Sequence, residues 1–329
     1  MTRSRLILFA GLVGVLLFLL TAVSHQSAAF QGPLEIRNQF PLFIHLNSPG
    51  LESASQQDRF SLVCSYSSLF LLKRSNDWSV QMDMETLEFA FRIKKNIPQV
   101  MEIGLEIPLL SFNSGVLDDP LQWYHQTFGF PDYGRSTRPK NDYLYRVGKG
   151  GKTVVEGELG KLGLGDIRIT GKKELFRMDG HPFLSLKLDL EIPTGDPQKG
   201  YGNGSLDIGL GLLLEKEITR SLLAVVNAGL VVPGPWKAKE TIALREYYYG
   251  GLGVEWAFSK RLSFLSQVWA QTSPFPETGI DSIDRPALIF SIGSRYTYGL
   301  NSLELALTED LNTSGAPDFT VTFSLKRQF

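Results

Sequence analysis

Leu184-Ser-Leu-Lys-Leu-Asp-Leu-Glu-Ile192 and Leu206-Asp-Ile-Gly-Leu-Gly-Leu-Leu-Leu-Glu215 flank a break, Pro193-Thr-Gly-Asp-Pro-Gln-Lys-Gly-Tyr-Gly-Asn-Gly204. In each arm the apolar residues recur every second position, which is the period of a strand with two unlike faces. The break is too rich in Gly and Pro for a helix or strand to run through it. Each arm is about as long as a bilayer-crossing strand, roughly 9–11 residues, and longer than the roughly 5–6 of an ordinary soluble strand. One face must meet something apolar, while the face carrying Lys187, Asp189, Glu191, Asp207 and Glu215 must meet water. A transmembrane β-barrel satisfies both demands, with lipid outside and a wet lumen inside.

Working outward, the chain reads as all-β, a closed antiparallel barrel with short turns alternating with long loops. Strands are predicted from Phe60 to Leu72, Trp78 to Lys94 and Met101 to Leu109, and again at 167–172, 184–192 and 206–215. Six more follow at about 221–232, 247–259, 261–272, 286–298, 302–310 and 317–329. This makes twelve strands, or fourteen if a hairpin over Tyr143–Val155 belongs to the wall. In the second strand Val80, Met82 and Met84 fall out of phase with Leu87, Phe89, Phe91 and Ile93, which predicts a β-bulge at Glu85-Thr86. The lumen side then carries Glu102, Glu106, Arg168, Lys172, Lys187, Asp189, Glu191, Asp207, Glu255 and Glu304. Acids outnumber bases in that set, so an open pore would favour cations weakly. The alternative is that these charges pair across the lumen and fill it.

The first residues bear on where the barrel goes. Arg3 and Arg5 precede an apolar run from Leu6 to Ala22, and Ser27-Ala-Ala29 supplies small residues at a cleavage site. That is the pattern of a secretory signal peptide over 1–29, with cut positions after Ala29 or Ala28. Residues 30–57 are polar and punctuated by Pro33, Pro41, Pro49 and Gly50, and read as a periplasmic or lumenal segment ahead of a barrel over 58–329. At the far end Phe319, Val321, Phe323 and Leu325 alternate with Thr320, Thr322, Ser324 and Lys326, and Phe329 closes the chain. An aromatic terminus in phase with the lipid face, with Phe323 and Leu325, is similar to the signal that the outer-membrane assembly machinery reads. The expected partners are therefore the lipid bilayer, that machinery and small solutes.

The 329 residues carry a formal charge of −1 and one cysteine, and mean hydropathy is near zero. Near-neutral charge without a basic cluster argues against nucleic acid. A lone Cys64 excludes a disulfide framework and a cysteine-rich metal site, and no cofactor motif is present. Gly151-Lys152-Thr153 imitates a phosphate loop, but Arg146 stands where that pattern needs Gly. A lipid hydrolase would need a nucleophile beside a base. Barrel lipases are similar in placing His and Ser two apart on one strand. Here His45, His125 and His181 lack such a serine, and the one match, His25 with Ser27, falls in the signal peptide. No catalytic residue is assigned. A secreted soluble β-sandwich is the third alternative, against which strand length and the terminal Phe both argue. The long Ser111–Leu162 loop, placed outside, carries Trp123, Tyr124, Phe128, Phe130 and Tyr133 as a candidate aromatic constriction.

Arg37-Asn-Gln-Phe-Pro-Leu42, Phe128-Gly-Phe-Pro-Asp-Tyr-Gly-Arg135, Gly163-Leu-Gly-Asp166, Ile192-Pro-Thr-Gly-Asp-Pro197 with Gly202-Asn-Gly-Ser205, and Thr308-Glu-Asp310 with Ala316-Pro-Asp-Phe319 carry a resemblance. The chain resembles bacterial outer-membrane barrel proteins of a domain-of-unknown-function family. It is also similar to barrels proposed to pass aromatic compounds. Glu85-Thr-Leu-Glu88 departs from the Asp-Gly-Glu of that pattern. The resemblance implies a Gram-negative outer-membrane barrel, porin-like in transport, and implies no reaction.

Overall fold

Strands with one apolar and one charged face must close on themselves in lipid, because an edge strand would leave N–H and C=O groups unpaired. The computed structural model describes residues 30–129, 134–176 and 183–329. Its wall has twelve strands: β1 (Arg59–Arg74), β2 (Trp78–Ile97), β3 (Met101–Asn113), β4 (Ile167–Phe176), β5 (Phe183–Ile192) and β6 (Asp207–Thr219), continuing with β7 (Leu222–Val232), β8 (Tyr247–Ala257), β9 (Leu262–Gln271), β10 (Ala287–Tyr298), β11 (Asn301–Asp310) and β12 (Phe319–Gln328). Each pairs with the next, and β12 returns to β1, Phe319 opposite Ser68 and Gln328 opposite Arg59. The predicted signal peptide lies outside the described residues.

The alternation places side chains as the pattern requires. Leu186, Leu188, Ile208, Leu210, Leu212 and Leu214 are exposed on the outer face, while Lys187, Asp189, Glu191, Asp207 and Glu215 are buried inside. Cys64 sits on the outer phase of β1, half-buried in the wall. Ten residues of β5, at about 3.3 Å each and tilted about 45°, span roughly 23 Å, close to the apolar band of such barrels. At the short-turn end Trp256, Phe258 and Phe264 pack within 5.6–5.9 Å, and Phe258 and Phe264 face outward as an aromatic girdle.

Two details differ from expectation. No bulge occurs at Glu85-Thr86: β1 and β2 pair without a shift, and every even residue from Trp78 to Lys94 points inward. The apparent phase change is a change in the interior, apolar around Met82 and Met84 and charged around Arg92 and Lys94. A bulge does occur where β4 begins. Glu106 faces Arg168 and Leu109 faces Leu164, so three steps on β3 oppose four on the other strand around Gly165-Asp166. The hairpin Leu144–Lys149 with Lys152–Glu156 is real, yet it pairs only with the upper end of β2, Trp78 to Asp83, outside the closed ring. That placement decides twelve strands over fourteen.

An eight-stranded barrel is just filled by its own side chains, and a twelve-stranded one is wider. Here residues 30–57 occupy the difference. They enter at the short-turn end, rise to a tip at Phe40–Asn47, and descend to β1, buried along nearly their whole length. The two passes touch through an antiparallel bridge between Arg37 and Gly50. A Cβ at Gly50 would lie 2.4 Å from the Ile36 carbonyl oxygen, so the crossing needs glycine.

Candidate functional site: a plugged lumen

The interior is stratified. From the short-turn end to mid-barrel it is ionic, and toward the loop end it is an apolar chamber. Every lumen charge predicted from the sequence is buried inside the wall. Glu102 pairs with Lys172 at 3.0 Å, Arg168 with Glu191 at 3.1 Å, Lys187 with Asp189 at 3.1 Å, and Glu255 with Arg295 at 2.8 Å. Glu304 receives both Arg295, at 2.6 Å, and Lys326, at 2.8 Å.

The plug is bound into that network by side chain and backbone. Glu35 pairs with Arg59 and with Lys94 (3.2 Å), and Glu52 pairs with Lys187 and with Lys94 (2.8 Å). Arg37 joins Glu88 and, at 2.8 Å, Glu106. Backbone N–H groups of the plug donate to wall carboxylates: Gln31 and Gly32 to Glu255 at 3.1 and 3.0 Å, Asn47 to Glu191 at 2.8 Å, and Gln57 to Glu102 at 2.7 Å. The Lys172 ammonium donates to the carbonyls of Ser53 and Ser55. Several wall charges therefore neutralise the main-chain polarity of an irregular segment, which would otherwise be costly to bury. A gap of about 40 Å³ remains between the plug and β2–β4, room for a water or two and not for a solute.

Wall residues absent from the predicted set change its balance. Arg59, Arg92, Lys94, Arg295 and Lys326 add to the basic side, against Glu88 and Glu215 on the acidic side. The acidic excess behind the expected cation preference narrows, from seven acids against three bases to nine against eight among these named residues. These bases lie in phase with the lumen face: Lys326 follows from the alternation already read in the last strand, and the same alternation carried through β1, β2 and β10 finds Arg59, Arg92, Lys94 and Arg295.

Asp207 plays another part. It accepts from Asn203 Nδ2 at 2.7 Å and from the Gly234 N–H at 2.8 Å, tying two outer loops together. Beside it the bulge turns Asp166 inward to accept N–H groups of Thr194, Gly195 and Asn203 at 2.8–2.9 Å. Burial pushes the Asp166 carboxyl up to about 6, an effect those three donors oppose. The Gly163–Asp166 and Ile192–Ser205 motifs are thus one latch.

At the loop end the plug tip buries Phe40, Leu42, Phe43, Ile44 and Leu46 against Trp78, Phe112, Tyr145, Val147, Tyr201, Trp236 and Phe275. Burial is worth about 1.5–3 kcal/mol for each large aliphatic or aromatic side chain. The rings that close this end are others than the five expected at a constriction, of which only Trp123 has a described side chain. Trp123 stands on the helix Asp118–Phe128 with 66% of its surface exposed. Tyr124 and Phe128 share that helix, but their side chains lie outside the described residues, as do Phe130 and Tyr133. On the lipid face of β12, Phe323 and Leu325 point outward, and Phe329 is exposed beneath the Lys95 ammonium, 5.2 Å away. Among the described residues no cluster of His, Cys, Asp and Glu could hold a metal ion.

The chain belongs to the DUF3187 family, proteins of unknown function, whose model matches residues 12–329. No curated protein matches it. Among solved structures it is similar to the COG4313 outer membrane channel from Pseudomonas putida F1, with TM-score 0.56 and 12% identity over 84% of this chain and 96% of that one. It is also similar, more loosely, to a NanC porin, with TM-score 0.47 and 7% identity over 82% and 98%. The chain has the fold of an outer-membrane channel.

Proposed function

We propose that this DUF3187 protein is an outer-membrane channel for small solutes, held shut by its own N-terminal segment. One observation carries the reading: the lumen is filled by a separate pass of chain, ion-paired and hydrogen-bonded along its length and apolar at its tip, and not by a packed core of the wall's own side chains. Ion pairs and backbone hydrogen bonds can be exchanged for water when a segment slides out, whereas an interdigitated core cannot be vacated without unfolding the wall. With the plug gone, the lining would be charged, nearly balanced and weakly selective. The aromatic chamber at the loop end favours small aromatic solutes over bare ions. Targeting would follow from cleavage after Ala29, and insertion from the barrel-assembly machinery acting on the strand that ends at Phe329.

A second reading, a permanently plugged structural barrel, draws support from the plug being anchored on many sides of the wall. Planar-bilayer recording separates the two. The full mature protein is expected to be closed or to flicker, and a variant lacking residues 31–56 to show steady conductance. A folded, heat-modifiable deletion variant that passes no current would end the channel reading. For the lipid-hydrolase alternative, the one described histidine side chain, His45, is buried in the chamber with no hydroxyl partner, and the side chains of His125 and His181 lie outside the described residues.

A further inference from the structure

We propose that the loop-end chamber is a binding site for a neutral, hydroxylated aromatic molecule, and that Phe43 of the plug tip is its tethered competitor. The inference rests on the channel reading for its purpose, but its geometry stands alone. The Phe43 ring lies on Phe275 at 6.0 Å and 28°, close to a stacked pair. Phe275 is also met edge-on by Trp78 at 6.0 Å and by Trp236 at 5.7 Å, so Phe43 completes a nest of rings. Trp78, Trp236 and Phe275 come from strands and outer loops, while Phe43 arrives on the plug with Phe40 edge-on to it at 5.0 Å and His45 beside Trp236 at 6.1 Å. Offset and edge-to-face contacts of this kind favour any planar ring of similar size.

The tip does not satisfy the chamber chemically. Trp236, edge-on to Phe275 in the nest, is fully buried and its indole N–H has no hydrogen-bond partner. A benzyl side chain can offer that donor nothing, whereas a phenol-class molecule brings a hydroxyl oxygen that accepts from it. Sites built with buried donors discriminate for the ligand that pairs with them. Displacement is also local. The tip is a single irregular turn, held by the Phe43 and Ile44 N–H groups on the Phe40 carbonyl, by the Leu46 N–H on the Phe43 carbonyl, and to the wall by the Tyr247 hydroxyl on the Leu46 carbonyl at 2.7 Å. It can open while the ion pairs lower in the lumen stay formed.

The test uses the full mature protein in detergent, with phenol and toluene as probes. In the wild type, saturating phenol is expected to raise amide hydrogen exchange at Phe43 and Leu46 several-fold. Phe43→Ala should bind phenol at least tenfold more tightly than wild type and prefer it to toluene. Adding Trp236→Phe should reduce that preference. Leu34→Ala, which opens an aliphatic cavity elsewhere in the lumen, controls for binding to any vacated space. Unchanged exchange at the tip, equal gains in Phe43→Ala and Leu34→Ala, or equal affinity for phenol and toluene would overturn the proposal. If Phe43→Ala does not fold, the wild-type exchange measurement decides. Should the plug-deleted barrel fail to conduct while phenol still opens the tip, the binding site survives and the channel reading does not.

Discussion

Arg37 of the plug and Glu106 of β3 meet at 2.8 Å inside the barrel, both side chains almost wholly withdrawn from water. Glu106 also holds Arg92 at 2.5 Å, and Arg37 also holds Glu88, so the pair joins plug to wall through four charges. Removing one member of a buried pair costs about 3–5 kcal/mol because the other is left uncompensated. Arg37→Ala is therefore expected to loosen the plug without unfolding the wall. Protease cleavage within residues 31–56 should accelerate in micelles while the barrel still migrates as heat-modifiable. A plug as resistant as wild type would mean that backbone hydrogen bonds alone hold it.

The plug tip should be sensitive to acid. Burial alone lowers the pKa of His45 from 6.5 to about 3, and its Nδ1 has no hydrogen-bond partner. A base with a depressed folded-state pKa contributes stability that is fully present above the unfolded pKa of about 6.5 and is lost as pH falls toward about 3. At pH 5 the loss is on the order of 2 kcal/mol, felt locally by the tip. Amide exchange at Leu46 should rise between pH 7 and pH 5 beyond its intrinsic pH dependence, and His45→Phe should abolish that rise. An equal rise in both would place the acid response in another group.

The loop latch should be separable from the wall. Asp166 holds three backbone N–H groups of the β5–β6 connection, and leaving such donors unsatisfied costs about 1–3 kcal/mol. Asp166→Ala is expected to raise amide exchange in residues 194–203 while β5 and β6 stay protected. Exchange spreading along both strands would show that the latch supports the wall itself.

On the last strand, Phe323 faces lipid and Thr322 faces the lumen. A charge on the lipid face costs up to about 2–4 kcal/mol at mid-membrane for Arg or Lys, and less for Asp. Phe323→Asp, or deletion of Phe329, should reduce the folded yield in the outer membrane more than Thr322→Asp does. Equal losses from the two Asp substitutions would reverse the assignment of faces.

The sequence by itself determined the barrel, because a strand's two faces are written in every second residue and no tertiary contact is needed to read them. Leu184–Glu215 alone placed lipid on one side and charge on the other, and the same period located Glu102, Lys172, Glu255 and Glu304 on the inner side. What fills the lumen was decided only in three dimensions. Residues 30–57 have no period of their own, since their backbone groups bond partly to one another and partly to side chains on several strands, more than two hundred residues away for Gln31 and Glu255. Met82 and Met84 misled for a related reason: alternation tells which residues share a face, but the medium that face meets depends on the plug tip and the loops that close over it. Phe43, Trp236 and Phe275 stand far apart in the chain, and only the closed ring of strands brings them into one nest.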